Sequence, residues 1–374
     1  MKITKAIALL LALGAGATGA KELAIGLVAP LSGPAAVYGK EASEAASAYI
    51  DHVNKTGGVN GNKLRLVIRD DGFKPADTVA HVRQLIEQEK VVAFISGAGA
   101  ASWESVVKAG LLQQHDVPVV GVITAATFLR GQEYRNLFFL RPTVHAEIQR
   151  IMGQLKSMGF ARIAVIYQDD SFGKDAVQGV RTEGERLKLQ PIAFAGHRRD
   201  ASDVEVVVRG ALEARPDALV ILGASNSAAL AVKTARQAGF NGQIIGMSVI
   251  DPRNVVNAVG AENARGMGLI QVMPNPRSPL MPVSQEFRHH LAASRKDGTA
   301  LSTIAMEGFV AAKVIVEAIR RAGRSPGPQD IYRVLTTSGA FDAGGFSVRF
   351  DATNRTGSVF ADVAIIDIRG VLLY

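Results

Sequence analysis

A glycine-rich segment is the part of this 374-residue sequence whose residue types best suit ligand binding. Residues 96–102 read Ser-Gly-Ala-Gly-Ala-Ala-Ser, between an apolar run and a helical stretch, and Gly97, Gly99 and Ser102 are spaced like an incomplete G-x-G-x-x-G. Glycines let a ligand approach the backbone, and free N–H groups at a helix start attract anions. The segment therefore predicts a site for a small carboxylate. A plain turn, with Ser102 as helix N-cap and no ligand, is the alternative.

A nicotinamide cofactor is not expected at this segment. Such a site needs an acidic residue at the end of the next strand, where this chain has Ile123-Thr124. Trp103, the single tryptophan, directly follows the segment. A lone tryptophan packs in a hydrophobic core by default, but its place beside a predicted pocket leaves a flat stacking role open.

Residues for catalysis or metal binding form no recognisable set. Ser105–Lys108 and Lys55–Gly57 imitate two motifs of penicillin-binding enzymes, but their order is reversed and the third motif is missing. His289 and His290 are adjacent, and adjacent residues do not share a helix face. The chain has no cysteine, which excludes disulfides and thiol chemistry. We therefore expect no enzyme activity, no cofactor and no metal.

Two pairs of acidic residues resemble acid–base machinery at first sight. Asp70-Asp71 and Asp169-Asp170 each follow a predicted strand and precede a predicted helix. Short acidic side chains at that position commonly accept hydrogen bonds from the first N–H groups of the helix. The pattern therefore favours helix capping over catalysis.

Short apolar strands alternate with amphipathic helices after residue 22. The first series of strands is expected at 23–29, 64–69, 91–95 and 117–123, and the second at 163–167, 192–194, 218–222 and 244–245. Near-continuous apolar strands separated by helices indicate parallel sheets covered on both faces. Because the rhythm occurs twice, we predict an α/β protein with two similar lobes. After a break at 273–276, helices near 283–294 and 303–322 and strands near 346–350 and 359–366 complete the chain.

The first twenty residues have the pattern of a signal peptide. Lys2 and Lys5 precede the apolar run 6–13, and the small residues 18–20 offer a cleavage site after Ala20. The run is shorter than the roughly 20 apolar residues that span a bilayer, so a membrane anchor is the weaker alternative. The missing cysteine also excludes a lipoprotein anchor. We therefore expect export, with cleavage near Ala20.

The composition is that of a globular protein, with 48% hydrophobic and 20% charged residues. The formal net charge of +8 becomes +6 when the two lysines of the signal peptide are removed. The remaining lysines and arginines are scattered and form no basic stripe interleaved with aromatic residues. Nucleic acid is therefore not an expected partner.

Several short motifs resemble the leucine/isoleucine/valine-binding protein family, the type I periplasmic solute-binding proteins of branched-chain amino acid ABC transporters. The most specific is residues 30–39, Pro-Leu-Ser-Gly-Pro-Ala-Ala-Val-Tyr-Gly. Residues 54–61, the pair Asp70-Asp71, residues 171–173 and residues 305–313 also look like this family. The resemblance extends from about Leu23 to the C-terminus.

The resemblance implies two doubly wound parallel-sheet lobes joined by three crossovers, with the ligand held in the cleft between them. It places residues 21–141 plus 273–350 in lobe 1 and residues 142–272 plus 351–374 in lobe 2, after the signal peptide 1–20. It also implies a periplasmic monomer that delivers its ligand to the membrane permease of an ABC transporter.

The family pattern also implies a set of ligand-binding residues. Tyr38 matches an aromatic position of the first lobe, and Phe172 matches a tyrosine of the second. The loop from Gly99 to Ser102 matches the loop whose hydroxyl and N–H groups hold the ligand carboxylate. Ala125 to Thr127 matches the loop in which a carbonyl group and a threonine contact the ligand. The full set is Tyr38, Gly99, Ala100, Ser102, Trp103, Ala125, Thr127, Phe172, Ser225, Ser248 and Asp251.

Two positions depart from the pattern of amino-acid binders. The acidic residue that pairs with the ligand ammonium falls on Ser248 here, with Asp251 three residues later, and a second tyrosine position falls near Ser225. A buried ammonium without a carboxylate partner is costly. Either Asp251 takes the acidic role or the ligand has no ammonium, and the sequence favours a carboxylate ligand, aromatic or aliphatic, that is not a standard amino acid.

These observations predict a binding protein rather than an enzyme, one that closes two lobes around a carboxylate-bearing solute. A ligand-sensing regulator of the same fold is the alternative. Export distinguishes the two, because such regulators are cytoplasmic and would lack residues 1–20.

Overall fold

The computed structural model describes residues 22–33, 35–95, 97–292 and 301–374. The strands in these residues are β1 Glu22–Ala29, β2 Lys63–Asp70, β3 Ala93–Ile95, β4 Val119–Val120, β5 Leu137–Phe138, β6 Ile163–Gln168, β7 Ala193–His197, β8 Ala218–Leu222, β9 Gln243–Gly246, β10 Gly268–Gln271, β11 Ala340–Asp342, β12 Ser347–Arg349, β13 Asp362–Ile366 and β14 Leu372–Leu373. The helices are α1 Ala36–Lys55, α2 Pro75–Glu87, α3 Ala100–Lys108, α4 Leu111–His115, α5 Val144–Ser157, α6 Ser171–Leu187, α7 Val204–Glu213, α8 Ser225–Gln237, α9 Pro252–Ala264, α10 Pro282–Ala292, α11 Thr303–Ala322 and α12 Pro328–Thr337.

The first sheet is five-stranded and parallel, in the order β2-β1-β3-β4-β5. Both of its faces are covered, which explains the continuous apolar run of β1. Leu23, Ile25 and Leu27 pack on one face with α1 and α11, whereas Ala24 and Val28 pack on the other with α2 and α3. Alternate side chains of a strand point to opposite faces, so a strand buried on both sides must be apolar throughout.

The second sheet repeats this arrangement. Its strands β7-β6-β8-β9-β10 are parallel and have the same relative order as the first sheet. Ile163 and Val165 of β6 face one core, and Ala164 and Ile166 face the other. The predicted α/β fold with two similar parallel sheets is therefore confirmed. The sequence did not show that β13 and β14 extend this sheet in antiparallel pairing.

We call the first sheet with α1–α4, α10–α12 and the β11–β12 hairpin the first lobe, and the second sheet with α5–α9 the second lobe. The chain passes between them three times: after β5, after β10 and after β12. The residue boundaries predicted for the lobes stay a prediction. The strand expected near 346–350 is one arm of the hairpin, and the strand near 359–366 begins at Asp362.

Helix α11 is almost entirely buried because it fills the space between α1 and the first sheet. The two helices approach so closely at Gly308 that a Cβ atom there would lie 2.4 Å from the carbonyl oxygen of Ala42. Ser302 begins the helix by accepting a hydrogen bond from the N–H of Ala305 at 3.0 Å. Among the described residues, no helix is both long and apolar enough to cross a bilayer.

Candidate functional site

The carboxyl ends of both sheets face one cavity between the lobes. Including its opening to solvent, the cavity measures about 490 Å³. The first lobe contributes Tyr38, Phe73, Gly99, Ala100, Ala101, Ile123 and Thr124, and the second contributes Gln168, Asp170, Phe172, Arg199, Ala224 and Val249. Apart from Tyr38, which lies on α1, these residues follow a strand or end one. Ligands of doubly wound proteins bind at this edge of the sheet.

The start of α3 forms the first-lobe wall of the cavity. Gly99 precedes the helix with a φ of 95°, a conformation that favours glycine, and a Cβ atom there would lie 2.7 Å from Cε2 of Phe73. The first N–H groups of a helix have no partner within the helix and carry partial positive charge. Ala100 and Ala101, the first two residues of the helix, line the cavity. The wall can therefore accept an anion.

Two hydroxyl groups that are close in sequence to lining residues, but do not themselves line the cavity, have no hydrogen-bond partner in the described part of the chain. They are Oγ of Ser102, which is fully buried, and Oγ1 of Thr127. Buried polar atoms in native proteins are nearly always paired, so an unpaired hydroxyl needs an explanation. The alternative that Ser102 is the N-cap of α3 is wrong, because Gly99 holds that position and Ser102 lies in the first turn.

Tyr38 joins the two lobes at the cavity. Its hydroxyl donates to the carbonyl oxygen of Val249 at 2.8 Å and accepts from the N–H of Ser225 at 2.9 Å. Oγ of Ser225 in turn donates to Val249 and accepts from the N–H of Asp251. Burial raises the pKa of the Tyr38 hydroxyl, which keeps it protonated and able to donate. Tyr38 thus lines the cavity, whereas Ser225 does not line it and holds the Tyr38 hydroxyl in place.

Trp103 and Ala125 do not line the cavity. Trp103 is fully buried and packs edge-on against Phe94, with 6.3 Å between the ring centroids. It therefore belongs to the hydrophobic core, as expected by default for a lone tryptophan. The carbonyl oxygen of Ala125 accepts from the N–H of Val144. Of the neighbouring loop, Thr124 reaches the cavity wall instead.

Ser248 belongs to a buried polar network rather than to the cavity wall. Its N–H and hydroxyl groups donate to the carboxylate of Glu147 at 2.9 and 2.7 Å, and it accepts from Nη1 of Arg141 at 2.9 Å. Arg141 also forms a buried two-point ion pair with Glu307 on α11, with Nε–Oε1 at 3.0 Å. The network connects the lobes next to the crossover at residue 141.

Asp251 is occupied by structural contacts. Its carboxylate accepts from the N–H of Arg253 at 2.9 Å, which caps α9, and it pairs with the guanidinium of Arg253. Arg253 also contacts Glu41 of the first lobe. The Asp251 side chain is 2% exposed and does not line the cavity described above.

The acidic pairs have different roles. Asp170 accepts from the N–H of Gly173 at 3.0 Å, so its predicted capping of α6 is confirmed. The capping predicted for Asp70 and Asp71 is wrong, because α2 starts after Lys74 without a side-chain cap. Asp70 accepts from the N–H groups of Leu31 and Gly72, and Asp71 from that of Phe73, so both hold loops together.

Four of the predicted site residues therefore line the cavity: Tyr38, Gly99, Ala100 and Phe172. The prediction missed Phe73, Gln168, Asp170 and Arg199. A signal for them was present, because each ends a parallel strand or follows one by a few residues. That rule alone selects every strand end in both lobes, and only the packed structure shows which side chains meet.

His145 and Asp175 form a pH-sensitive contact near the cavity. The Asp175 carboxylate accepts from the N–H of Thr127 and lies 3.0 Å from Nε2 of His145, and the hydrogen bond to Asp175 raises the pKa of His145 above its ordinary value. Because the pKa of His145 is higher in the folded state, its contact with Asp175 stabilises the folded state fully at a pH below the unfolded-state pKa. This stabilisation is lost as the pH rises through the folded-state pKa.

We expect His145→Gln to lower the free energy of unfolding at pH 5.5 by up to about 1 kcal/mol, because the pair is partly exposed, and to have less effect at pH 8.5. Urea unfolding at both pH values measures this difference. The same substitution in an Asp175→Asn background should show no pH dependence. An effect of H145Q that is larger at pH 8.5 than at pH 5.5 would contradict the assignment.

The chain matches the periplasmic binding protein family over residues 22–370. It is similar to a substrate-binding periplasmic protein from Ralstonia solanacearum, with 34% identity, 94% of this chain and 99% of that chain covered, and a TM-score of 0.89. A branched-chain amino acid transporter substrate binding protein from Streptococcus pneumoniae, solved with isoleucine, has 21% identity, coverages of 94% and 98%, and a TM-score of 0.81.

A Leu/Ile/Val-binding protein homolog from Brucella melitensis is 21% identical over 90% of this chain and 89% of its own length. These relatives are named as binding proteins rather than as enzymes. Together with the family match, they confirm the family resemblance that the sequence motifs indicated. The chain therefore belongs to the periplasmic binding protein family and is a substrate-binding protein rather than an enzyme.

Proposed function

We propose that this protein is the exported substrate-binding component of an ABC uptake transporter, and that it binds a small carboxylate-bearing solute between its lobes. The observation that carries the proposal is the wall of the cavity at the start of α3. There, Ala100 and Ala101 of the first helical turn line the cavity, and two buried hydroxyls, of Ser102 on the same helix and of Thr127, have no partner among the described residues. The first N–H groups of a helix can donate to a carboxylate, and so can a hydroxyl group.

Contacts across the cleft support binding by closure. Tyr38 bonds to Ser225 and Val249 of the second lobe, and Arg199 of the second lobe stacks on Phe73 of the first at 4.1 Å. These contacts would break if the lobes moved apart, so they would stabilise a closed form. Closure by hinge motion would bury the ligand, and the closed monomer would dock on a membrane permease.

The proposed ligand lacks an α-ammonium group. The sequence offered Ser248 and Asp251 as partners for an ammonium. Ser248 is hydrogen-bonded to Glu147 and Arg141, and Asp251 is paired with Arg253. The carboxylate that does line the cavity, Asp170, already accepts from the N–H of Gly173 and from Nε2 of Gln168. Part of its hydrogen-bonding capacity is therefore used within α6 and its loop.

Matched ligand pairs test this proposal. We expect 4-methylpentanoate to bind at least as tightly as leucine, and 3-phenylpropanoate at least as tightly as phenylalanine, in isothermal titration calorimetry. A tenfold advantage of the amino acid, about 1.4 kcal/mol, would show that an ammonium is recognised. Asp170→Asn and Asp251→Asn would then identify its partner as the residue whose replacement removes the advantage.

Export is part of the same proposal. The predicted signal peptide, residues 1–20, lies outside the described residues, so its support comes from the lysine, apolar and small-residue pattern and from the family. We expect the mature protein to begin near Lys21 and to be released from the periplasm. N-terminal sequencing of the released protein checks this, and an intact Met1 would count against it.

A further inference from the structure

Arg199 is a cation in the cavity wall without an acidic partner in the described chain. It follows β7 on the second lobe, and its guanidinium stacks on the ring of Phe73 at 4.1 Å. Within the described part of the chain, its side chain forms one hydrogen bond, a long one from Nη2 to the carbonyl oxygen of Phe73 at 3.4 Å. A guanidinium has five N–H donors, so most of its donor capacity remains for other groups.

Two other arginines that connect the lobes differ from Arg199 in this respect. Arg141 is paired with Glu307, and Arg253 is paired with both Asp251 and Glu41. The neighbouring residue, Arg198, is an exposed side chain with Asp203 at 3.9 Å. Arg199 thus combines a position in the cavity with a charge that no described carboxylate neutralises, and stacking on an aromatic ring leaves the edge of the guanidinium available for a planar anion.

Arg199 and the start of α3 are separate positive regions of one cavity. The ring of Phe73 contacts both regions. The guanidinium of Arg199 stacks on it, and a Cβ atom on Gly99 would lie 2.7 Å from its Cε2 atom. One region belongs to each lobe. A ligand with a single carboxylate at α3 would therefore leave the guanidinium of Arg199 without an anion inside the cavity.

Asp170 is the carboxylate among the described lining residues, and it does not neutralise Arg199. Its oxygens accept from the N–H of Gly173 and from Nε2 of Gln168, and no ion pair with Arg199 within 4.0 Å is present. Arg199 therefore keeps hydrogen-bond donors that are separate from the N–H groups at the start of α3. A ligand with an anionic group at each end could use both sets of donors.

We propose that Arg199 is a specificity-determining residue that binds a second carboxylate of the ligand, so that the protein selects dicarboxylates over monocarboxylates. This inference rests on the proposed function, in which the first carboxylate lies at the start of α3. Bidentate pairing of a guanidinium with a carboxylate is strong and directional, and in a closed cavity little water competes with it. Arg199 also couples recognition to closure, because it reaches the ligand from the second lobe.

The test compares acids of equal chain length on the exported protein. Succinate, glutarate, adipate and pimelate are titrated against butanoate, pentanoate, hexanoate and heptanoate by calorimetry, with wild type, Arg199→Gln and the matched control Arg198→Gln. We expect at least one dicarboxylate to bind tenfold or more tightly than its monocarboxylate counterpart. R199Q should reduce this ratio to less than threefold, whereas R198Q should keep it.

Three outcomes would overturn the inference. The dicarboxylates could show no advantage in wild type, the advantage could survive R199Q, or R199Q could weaken both classes equally, which would make Arg199 a closure contact only. In each case monocarboxylates can still bind, and the proposed function stands. If none of these acids and no other carboxylate stabilises the wild-type protein, the proposed function and the inference fail together.

Discussion

Replacement of Arg141 by glutamine is expected to lower the free energy of unfolding by about 3–5 kcal/mol. The Arg141 side chain is 1% exposed and bonds to Glu307 on the first lobe and to Ser248 on the second. Without the guanidinium, the carboxylate of Glu307 stays buried with no cation, and the hydroxyl of Ser248 loses its donor. Removal of one partner from a buried ion pair costs far more than the pair contributes, because the other charge remains desolvated.

The effect of R141Q should grow with pH. Burial raises the pKa of the nearby Glu147 carboxyl, and the charge of Arg141 opposes that rise. In the variant that charge is gone and the hydrogen bonds from Ser248 are left to oppose burial, so the pKa of Glu147 rises further and the folded state binds a proton more tightly than the unfolded state. Stability is then lost as the pH rises through the folded-state pKa of Glu147.

Urea unfolding of wild type, R141Q and Arg150→Gln measures this prediction. Arg150 forms an ion pair with Asp362 in which both side chains are more than half exposed, and its loss should cost less than about 0.5 kcal/mol. A loss below 1 kcal/mol for R141Q, close to that of the control, would show that the buried network does not contribute as described.

Replacement of Ser102 by alanine is expected to weaken ligand binding by about 1–3 kcal/mol without destabilising the free protein. The hydroxyl is fully buried and has no partner in the described part of the chain, so its removal breaks no hydrogen bond of the free form. Ser102 follows the lining residue Ala101, and in the complex a rotation of its hydroxyl toward the cavity would let it donate to the ligand carboxylate. A loss of affinity at constant or increased stability is therefore the result that distinguishes a ligand contact from a structural role.

Ser105→Ala is the matched control, since Ser105 lies on the same helix but its Oγ donates to the carbonyl oxygen of Ala101 at 2.8 Å. It should leave affinity unchanged. Thr127→Val replaces the second unpaired hydroxyl with a side chain of similar shape and should weaken binding as S102A does. Unchanged affinity in both S102A and T127V would place the anion site elsewhere in the cleft.

Much of the fold could be predicted from the sequence because local and global signals agree. Strands such as β1 and β6 are buried on both faces and are therefore apolar without interruption. The 303–322 helix was predicted with its observed bounds, since Ser302 caps it and Gly323 follows its end. The edge strand β14 has two residues and no such pattern, and its pairing depends on the sheet beside it.

The site was predicted less completely because its residues come from distant parts of the chain. Phe73 and Arg199 are 126 residues apart and belong to different lobes. Ser248 lies where the family pattern suggests a ligand contact, but Glu147 and Arg141 hold it in a network that neither strand periodicity nor motif spacing reveals. Trp103 follows the glycine-rich segment in sequence, yet helical geometry turns it into the core.

The central claim is that the cavity at the start of α3 binds a carboxylate, and a comparison of each acid with its primary amide tests it most directly. Thermal unfolding of the exported protein is recorded with aromatic and aliphatic acids, dicarboxylates and amino acids, and with the corresponding amides. A ligand at 100 times its Kd stabilises the folded state by about 2.7 kcal/mol, which is readily measured. We predict stabilisation by at least one acid and not by its amide. Equal stabilisation by the neutral amide, or no stabilisation by any carboxylate, would contradict the claim.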